Sequence, residues 1–543
     1  MATSTRWMAP LLALGLAGCG GGGGGGSSPP PVVTPALPSV DVSSVAAADP
    51  GSALPAGWQH GAFMEIFVRS YADSDGNGMG DLKGLISKLD YLQALGVKGL
   101  WLMPVTVSQD GDHGYAVVNY RDIESAYGSL ADLDELLRQA HARGIGVILD
   151  YVMNHSAAQN PLFLNSRDST SNPYRNWYVW QATAPAGWSV YGGNPWRTTT
   201  TGAYYAAFSD TMPEFNLTNG DVVAYHQSNL RFWLNRGVDG FRFDAVGNLV
   251  ENGPTAWLDQ PQNYTLMQGM QSLVAGYAQR YMVCEAPDDP QGFGQSTACG
   301  AAFAFDLRGN ILAAAAGDAS AAQKVADYYK TAPAGMASLL ANHDSFAGAR
   351  VWDQLGGDAV RYKLAAATYL LLPGTPFIYY GEEVGMAGGS GLSGDAALRS
   401  PMSWSASTSN GGFTSGTPYR ALAANVASNN VAVETADPAS LLNFYKAMLA
   451  LRNGVPALAA GDYTQASSSG ALLQFQRSSA GSKALVLINY GSAAATAGVA
   501  SLGANASLKS LYPSGAADAT ADASGQASIS VPAQSLRVFQ VNP

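Results

Sequence analysis

Four short segments of this 543-residue chain carry acids that could share one site. They are Asp150-Tyr151-Val152-Met153-Asn154-His155, Arg242-Phe243-Asp244, Cys284-Glu285 and Asn342-His343-Asp344. Carboxylates and histidines are the side chains of general acid-base and nucleophilic catalysis. Arg242 lies two residues before Asp244 and so shares its strand face, where its charge would hold Asp244 ionised. Any one Asp could instead cap a helix or pair on the surface. The functional reading rests on the whole set occurring together. A fifth segment, Asp73-Ser74-Asp75-Gly76-Asn77-Gly78-Met79-Gly80-Asp81, sets oxygen-bearing side chains at alternate positions, with glycines for a tight turn. This imitates the first half of an EF-hand, but the twelfth position is Gly84 rather than Glu. Asp73, Asp75, Asn77 and Asp81 are the expected side-chain ligands of a calcium ion, with the Met79 carbonyl added. The alternative is a metal-free turn rich in Asx side chains.

Each acid follows a short apolar run, so strands must position them. Eight such runs occur, at 62–68, 99–103, 146–149, 238–243, 281–284, 302–305, 337–340 and 376–380. Between the second and third, Leu133, Leu136, Leu137 and Ala140 fall on one helical face, and 361–372 reads the same way before the eighth. This alternation predicts an α/β fold, a (β/α)8 TIM barrel over 58–457, whose catalytic side chains project from the C-terminal strand ends. Residues 157–217 break the rhythm after the third strand and predict an inserted subdomain. Its Trp177, Trp180, Trp188, Tyr191, Trp196, Tyr204 and Tyr205 are mostly expected in packing, with one or two facing the cleft. From 458 to 543 short β-rich runs predict a C-terminal antiparallel β-sandwich.

The net charge of -11 and the pI near 5.0 argue against nucleic acid and against a basic membrane-surface binder. Residues 1–19 read as a signal peptide whose apolar run is too short to span a bilayer. Residues 20–57, rich in Gly, Ser, Pro and Ala, read as a disordered linker. Leu16-Ala17-Gly18-Cys19 resembles a bacterial lipobox, which implies lipidation at Cys19 and a membrane anchor. Gly20 after the Cys points to the outer membrane or cell surface. Cys284 and Cys299 could form a disulfide in an exported protein or stay as buried thiols; spacing alone does not choose.

The segments at 150–155, 240–244, 285 and 342–344 resemble the successive conserved regions of the α-amylase family, glycoside hydrolase family 13. Met212-Pro213-Glu214-Phe215-Asn216 and Gly374-Thr375-Pro376 through Gly381-Glu382-Glu383 resemble two further regions. The similarity runs from about Trp58 to the end. It implies a retaining mechanism in which Asp244 is the nucleophile, Glu285 the acid/base and Asp344 the third carboxylate gripping sugar hydroxyls. It also implies that Tyr115 stacks on the sugar, that His155 and His343 bond its hydroxyls, and that His113 lines the pocket. The 73–81 loop resembles the calcium loop after the first strand of many members.

The chain departs from the family after the nucleophile. Ala245-Val246-Gly247-Asn248 lacks the Lys-His pair of many α-amylases, although Ala245 is typical of endo-acting members. Asp112 and Arg399 instead resemble a clamp on the non-reducing end in exo-glucosidases. The resemblance implies an exported, monomeric hydrolase of α-1,4-glucosidic bonds in starch and maltooligosaccharides, intermediate between the α-amylase and oligo-1,6-glucosidase branches. The rivals are an exo α-glucosidase, a transglycosylase, and a non-catalytic sugar-binding protein on the same fold.

Overall fold

The computed structural model describes residues 36–543 apart from Ala480 and Pro543. The signal peptide, Cys19 and the first part of the linker lie outside the described residues. A parallel six-stranded sheet forms most of the barrel: β1 (Phe63–Ile66), β2 (Gly99–Leu102), β3 (Gly146–Tyr151), β4 (Gly240–Phe243), β5 (Tyr281–Cys284) and β6 (Phe377–Tyr379). The strand order is β5-β4-β3-β2-β1-β6. Single parallel bridges Cys284↔Ala302, Phe303↔Ala337 and Ser338↔Pro376 close the ring, so the sixth and seventh expected strands are present as one- or two-residue segments.

Alternation along these strands sorts the side chains into an outer core and an inner column. Met64, Leu100, Val147, Phe241 and Cys284 point outward into the helix layer. Phe63, Trp101, Ile148, Val283, Phe303 and Phe377 fill the barrel's lower interior. Trp58 plugs its base, where a Cβ on Gly146 would stand 2.3 Å from the indole. One step further along the inward-facing rows come Glu65, Asp150, Arg242 and Glu285, all buried. The apolar layer supports the charged layer, and the charged layer opens at the C-terminal rim.

The helix Leu130–His141 buries the four residues its periodicity predicts and is closed by a capping box between Ser129 and Asp132. Between β3 and β4 the chain forms the helix Pro161–Asp168 and a three-stranded antiparallel sheet. Trp196 and Tyr205 are buried in a small core with Val190 and Ala203; Trp188 packs beside them. Trp177 and Tyr204 are also buried, and Trp180 carries the Arg175 guanidinium on its face. Tyr191 is the aromatic of this group left open, 57 % exposed. At the C-terminus, a six-stranded antiparallel sheet and a two-stranded sheet (Ala495–Val499 with Ala527–Val531) enclose a second core around Leu485, Leu487, Ile529 and Phe539.

The linker expectation needs correction at its C-terminal half. Residues 38–57 lie extended along the barrel rather than free. Asn165 donates to the Pro38 carbonyl, Arg121 to Ser43, Asn235 to Ala46, and Arg280 to Gly51. Long polar side chains of the barrel satisfy the backbone of a segment too short of apolar residues to anchor itself.

Candidate active site

Arg242 organises the charged layer. Its Nη1 donates to Asp244 Oδ1 at 2.7 Å and to Asp150 Oδ1 at 2.8 Å, and its Nη2 lies 2.8 Å from Glu285 Oε2. The guanidinium is fully buried. Ala245, directly after Asp244, takes a left-handed conformation at φ 45°, and its N–H donates to Glu285 Oε2 at 3.0 Å. Strain at a non-glycine residue here aims a backbone donor at the acid.

A second chain of contacts holds Asp344. Glu65 Oε1 sits 2.6 Å from His343 Nδ1, and His343 Nε2 lies 3.0 Å from Asp344 Oδ2 and 2.7 Å from the Tyr115 hydroxyl. That hydroxyl donates to Asp150 Oδ2 at 2.8 Å, which also accepts from the Trp101 indole. Arg399 donates to Asp344 Oδ1 at 2.9 Å and to the His343 carbonyl. The structure therefore brings Asp244, Glu285, Asp344, Arg242, Tyr115, His343 and Arg399 into one connected cluster.

The remaining expected residues lie at its edge. Asp112 is 3.7 Å from Arg399 and accepts from Arg420 at 2.6 Å. His113 packs 5.5 Å from the Tyr115 ring and 3.5 Å from Asp110; none of its hydrogen bonds is to the three acids. His155 is buried with Nε2 unpartnered, its ring 5.4 Å from Phe208. Phe208, Tyr191 and Trp257 form an aromatic group on this side, and the Tyr191 hydroxyl donates to Asn248 Oδ1 at 3.1 Å. Glu65 and Arg420 escaped sequence reasoning. The inward alternation of β1 could have found Glu65. Arg420 sits on an irregular loop that carries no periodic signal.

Burial dominates the acids' protonation. It pushes Glu285 up to about 7, against the opposing charge of Arg242 and helped by Asp244 and Asp344. It pushes Asp244 up to about 6, again opposed by Arg242. Asp344 goes the other way: burial is outweighed by His343 and Arg399, which hold it well below the usual carboxylate range. His343 is raised to about 10, because Asp344 and Glu65 overcome the burial that would lower it. The site thus contains two acids that burial raises toward neutrality, Asp244 below Glu285, and a third, Asp344, fixed as an anion.

Oxygens of Asp73, Asp75 and Asp81 all lie within 4.8 Å of one another. Among the described residues none of the three pairs with a Lys, Arg or His, so the donor set suits a hard divalent cation. Asn77 accepts from the Met79 N–H, and the Met79 thioether rests on the Arg69 guanidinium, which leaves the Met79 carbonyl as its possible ligand atom. Asp73 also accepts from the Thr414 hydroxyl, and Asp81 caps the helix Leu82–Ser87.

Residues 65–461 match the family model described as alpha amylase, catalytic domain. The chain is 34 % identical over 414 residues to Alpha-amylase 3 of Dictyoglomus thermophilum, covering 74 % of this chain and 79 % of that one. It is 30 % identical over 488 residues to an oligo-1,6-glucosidase of Parageobacillus thermoglucosidasius, covering 75 % and 85 %. Among solved structures, the trehalulose synthase MutB of Pseudomonas mesoacidophila MX-45 superposes with a TM-score of 0.75 at 26 % identity, covering 89 % of this chain and 99 % of that one. Barrel, strand-end acids and relatives agree, and the chain belongs to the α-amylase family, glycoside hydrolase family 13, as a glycoside hydrolase or transglycosylase.

Proposed function

We propose that this enzyme hydrolyses α-1,4-glucosidic bonds in starch-derived chains and maltooligosaccharides with retention of configuration. The observation that carries the reading is the shared guanidinium. Asp244 and Glu285 contact neighbouring nitrogens of Arg242, which sets both carboxyl groups on one site; retaining enzymes use such a pair ~5 Å apart, against ~6.5–9.5 Å where an inverting water must fit. Asp244, held by the cation, attacks the anomeric carbon and forms a glycosyl ester. Glu285, protonated near neutrality, gives its proton to the departing oxygen, then takes one from the incoming water. Asp344, fixed as an anion by His343 and Arg399, grips ring hydroxyls as the sugar distorts. Time-resolved NMR of the first product tests this: the α-anomer must appear first, and initial release of the β-anomer defeats it.

A second reading, attack from the chain end, is favoured by Asp112. Its bridge to Arg399 and Arg420, next to Asp344, suits a wall behind the last sugar at the non-reducing end. Free glucose as the sole early product from maltoheptaose supports it, and mixed oligosaccharides favour internal cleavage. Because an acceptor sugar competes with water for the same ester, transfer products in concentrated maltose would mark a transglycosylase.

The 73–81 loop would hold calcium through Asp73, Asp75 and Asp81, with Asn77 and the Met79 carbonyl able to complete the shell. Its role would be to pin the first βα loop. The Cys284–Cys299 disulfide supports export to an oxidising compartment, in keeping with an N-terminal lipid anchor at Cys19.

A further inference from the structure

A cavity of about 350 Å³ opens at the opposite end of the barrel from the acids. Its wall combines the starts of barrel strands, including Tyr281 and Thr375, with Gln271 of the helix Pro261–Ala275 and Arg477 of the C-terminal sheet. Its basic side chains are His60, Arg280 and Arg477, and no Asp or Glu lines it. For a chain of net charge -11 this is a local reversal of sign.

Arg280 is balanced by Asp239 at 3.7 Å and Asp49 at 3.8 Å. Arg477 is not. It is 1 % exposed and, among the described residues, pairs with no carboxylate. A guanidinium offers five N–H groups. Those of Arg477 reach only the carbonyls of Gly461 and Leu371. Behind the same wall Arg452 is fully buried, also without a carboxylate partner. It donates to the carbonyls of His60, Leu370, Leu372 and Gly374, two of which belong to residues lining the cavity. Carbonyl dipoles solvate a cation but cancel no charge, and the exposed Asp462 carboxylate offsets Arg477 only in part, so two buried guanidiniums leave a net positive field. Burial lowers Arg477 to about 10; burial and then the charge of Arg477 lower Arg452 to about 9. Both remain cations at neutral pH. The Tyr281 hydroxyl is buried in this wall beside Thr375, whose own hydroxyl donates to the Gln59 carbonyl.

We propose that this cavity is a binding site for a phosphate-sized oxyanion, held by Arg477, with Arg452 supplying charge from behind. An anion there would compensate the two unpaired cations. It lies beyond the catalytic cluster and does not depend on the reaction assigned above.

The test uses the full chain with inorganic phosphate, titrated at constant ionic strength against chloride. A saturable rise in melting temperature and a saturable calorimetric heat are expected. Glycerol phosphate as a second probe separates the sources: tighter binding than inorganic phosphate identifies a phosphoryl ester, and weaker binding identifies the free ion. Gln271→Glu adds a carboxylate of the same shape to the wall, away from the acids. It should weaken binding roughly tenfold while leaving hydrolysis unchanged. Arg477→Gln should abolish binding; because Arg477 also ties backbone carbonyls, the Gln271 variant keeps the test decisive if that protein fails to fold. No saturable response beyond chloride, or equal binding by the parent and Gln271→Glu, overturns the proposal.

Discussion

Arg242 serves Asp244 and Glu285 at once: one terminal nitrogen donates to the first at 2.7 Å while the other stands 2.8 Å from the second. Asp150 makes a third carboxylate on the same cation. Removing the cation strips three buried acids of their shared counter-charge and leaves them only neutral hydrogen-bond donors, which costs far more than the pairing itself contributes. Arg242→Gln is therefore expected to lower unfolding stability by about 3–5 kcal/mol in urea titrations. It should also reduce kcat by at least about 100-fold, since Asp244 would no longer be held ionised and in place. A variant of near-parental stability would show that Arg242 does not carry this charge layer.

The same pair sets the pH dependence. Attack needs Asp244 ionised, and departure of the leaving group needs Glu285 protonated. With Asp244 raised to about 6 and Glu285 to about 7, kcat/KM must fall below the first value as Asp244 gains its proton. It must fall above the second as Glu285 loses its own. The profile should be a bell centred between them, with limbs belonging to the coupled pair. Glu285→Gln should flatten the basic limb on substrates with activated phenolate leaving groups, which need no proton. A basic limb that survives in this variant would assign it to another residue.

The calcium loop gives a separate expectation. Asp73, Asp75 and Asp81 converge without a cationic neighbour; backbone N–H groups and the Thr414 hydroxyl offset part of their repulsion, and a bound cation would offset the rest. Chelation with EDTA should lower the melting temperature, and added calcium should restore it. Asp73→Asn should show the lower temperature throughout and respond to neither. Identical melting with and without chelator would leave the loop as a metal-free turn tied down by Thr414.

Much of this arrangement was legible in the sequence because a barrel strand writes its inward face at every second position. Arg242 and Asp244 stand two apart, and Glu285 follows Val283 at the same interval. The acids could therefore be placed at strand ends before any geometry was known. Glu65 obeys the same rule but sits inside an otherwise apolar run rather than at its end. Its partner His343 lies 278 residues away, which local reading cannot span. Arg420 belongs to a loop without period, and only folding sets it on Asp112. Composition misled at 38–57, where order comes from Asn165, Arg121, Asn235 and Arg280 on the barrel rather than from the segment's own residues.

The Asp112 bridge predicts how chain length is read. Arg420→Ala frees Asp112 on one side while leaving Arg399 on Asp344. If the bridge closes the site behind the last sugar, this variant should bind maltose more weakly, with KM raised roughly tenfold for the loss of a charge-assisted contact network. It should also gain mixed oligosaccharides from longer chains as the wall opens. An unchanged product pattern would place Asp112 and Arg420 outside substrate recognition.

The disulfide bears on catalysis through its position. Cys284 is the last residue of β5 and immediately precedes Glu285, while Cys299 leads into the segment that bridges the barrel at Ala302. The bond thus fastens the strand end that carries the acid/base residue to the next barrel segment, across a loop of separation 15. For a loop of that length the loss of the crosslink is worth about 3 kcal/mol. Cys299→Ser, or reduction with dithiothreitol, should lower stability by that order and also reduce kcat, because the Glu285 side chain is then held by the Arg242 contact and the Ala245 N–H on a strand end tied only by its backbone ladder. KM should move less than kcat, since Asp344, Tyr115 and His343 are held by other strands. Loss of stability with kcat intact would mean that the backbone ladder of β5 positions Glu285 without the crosslink.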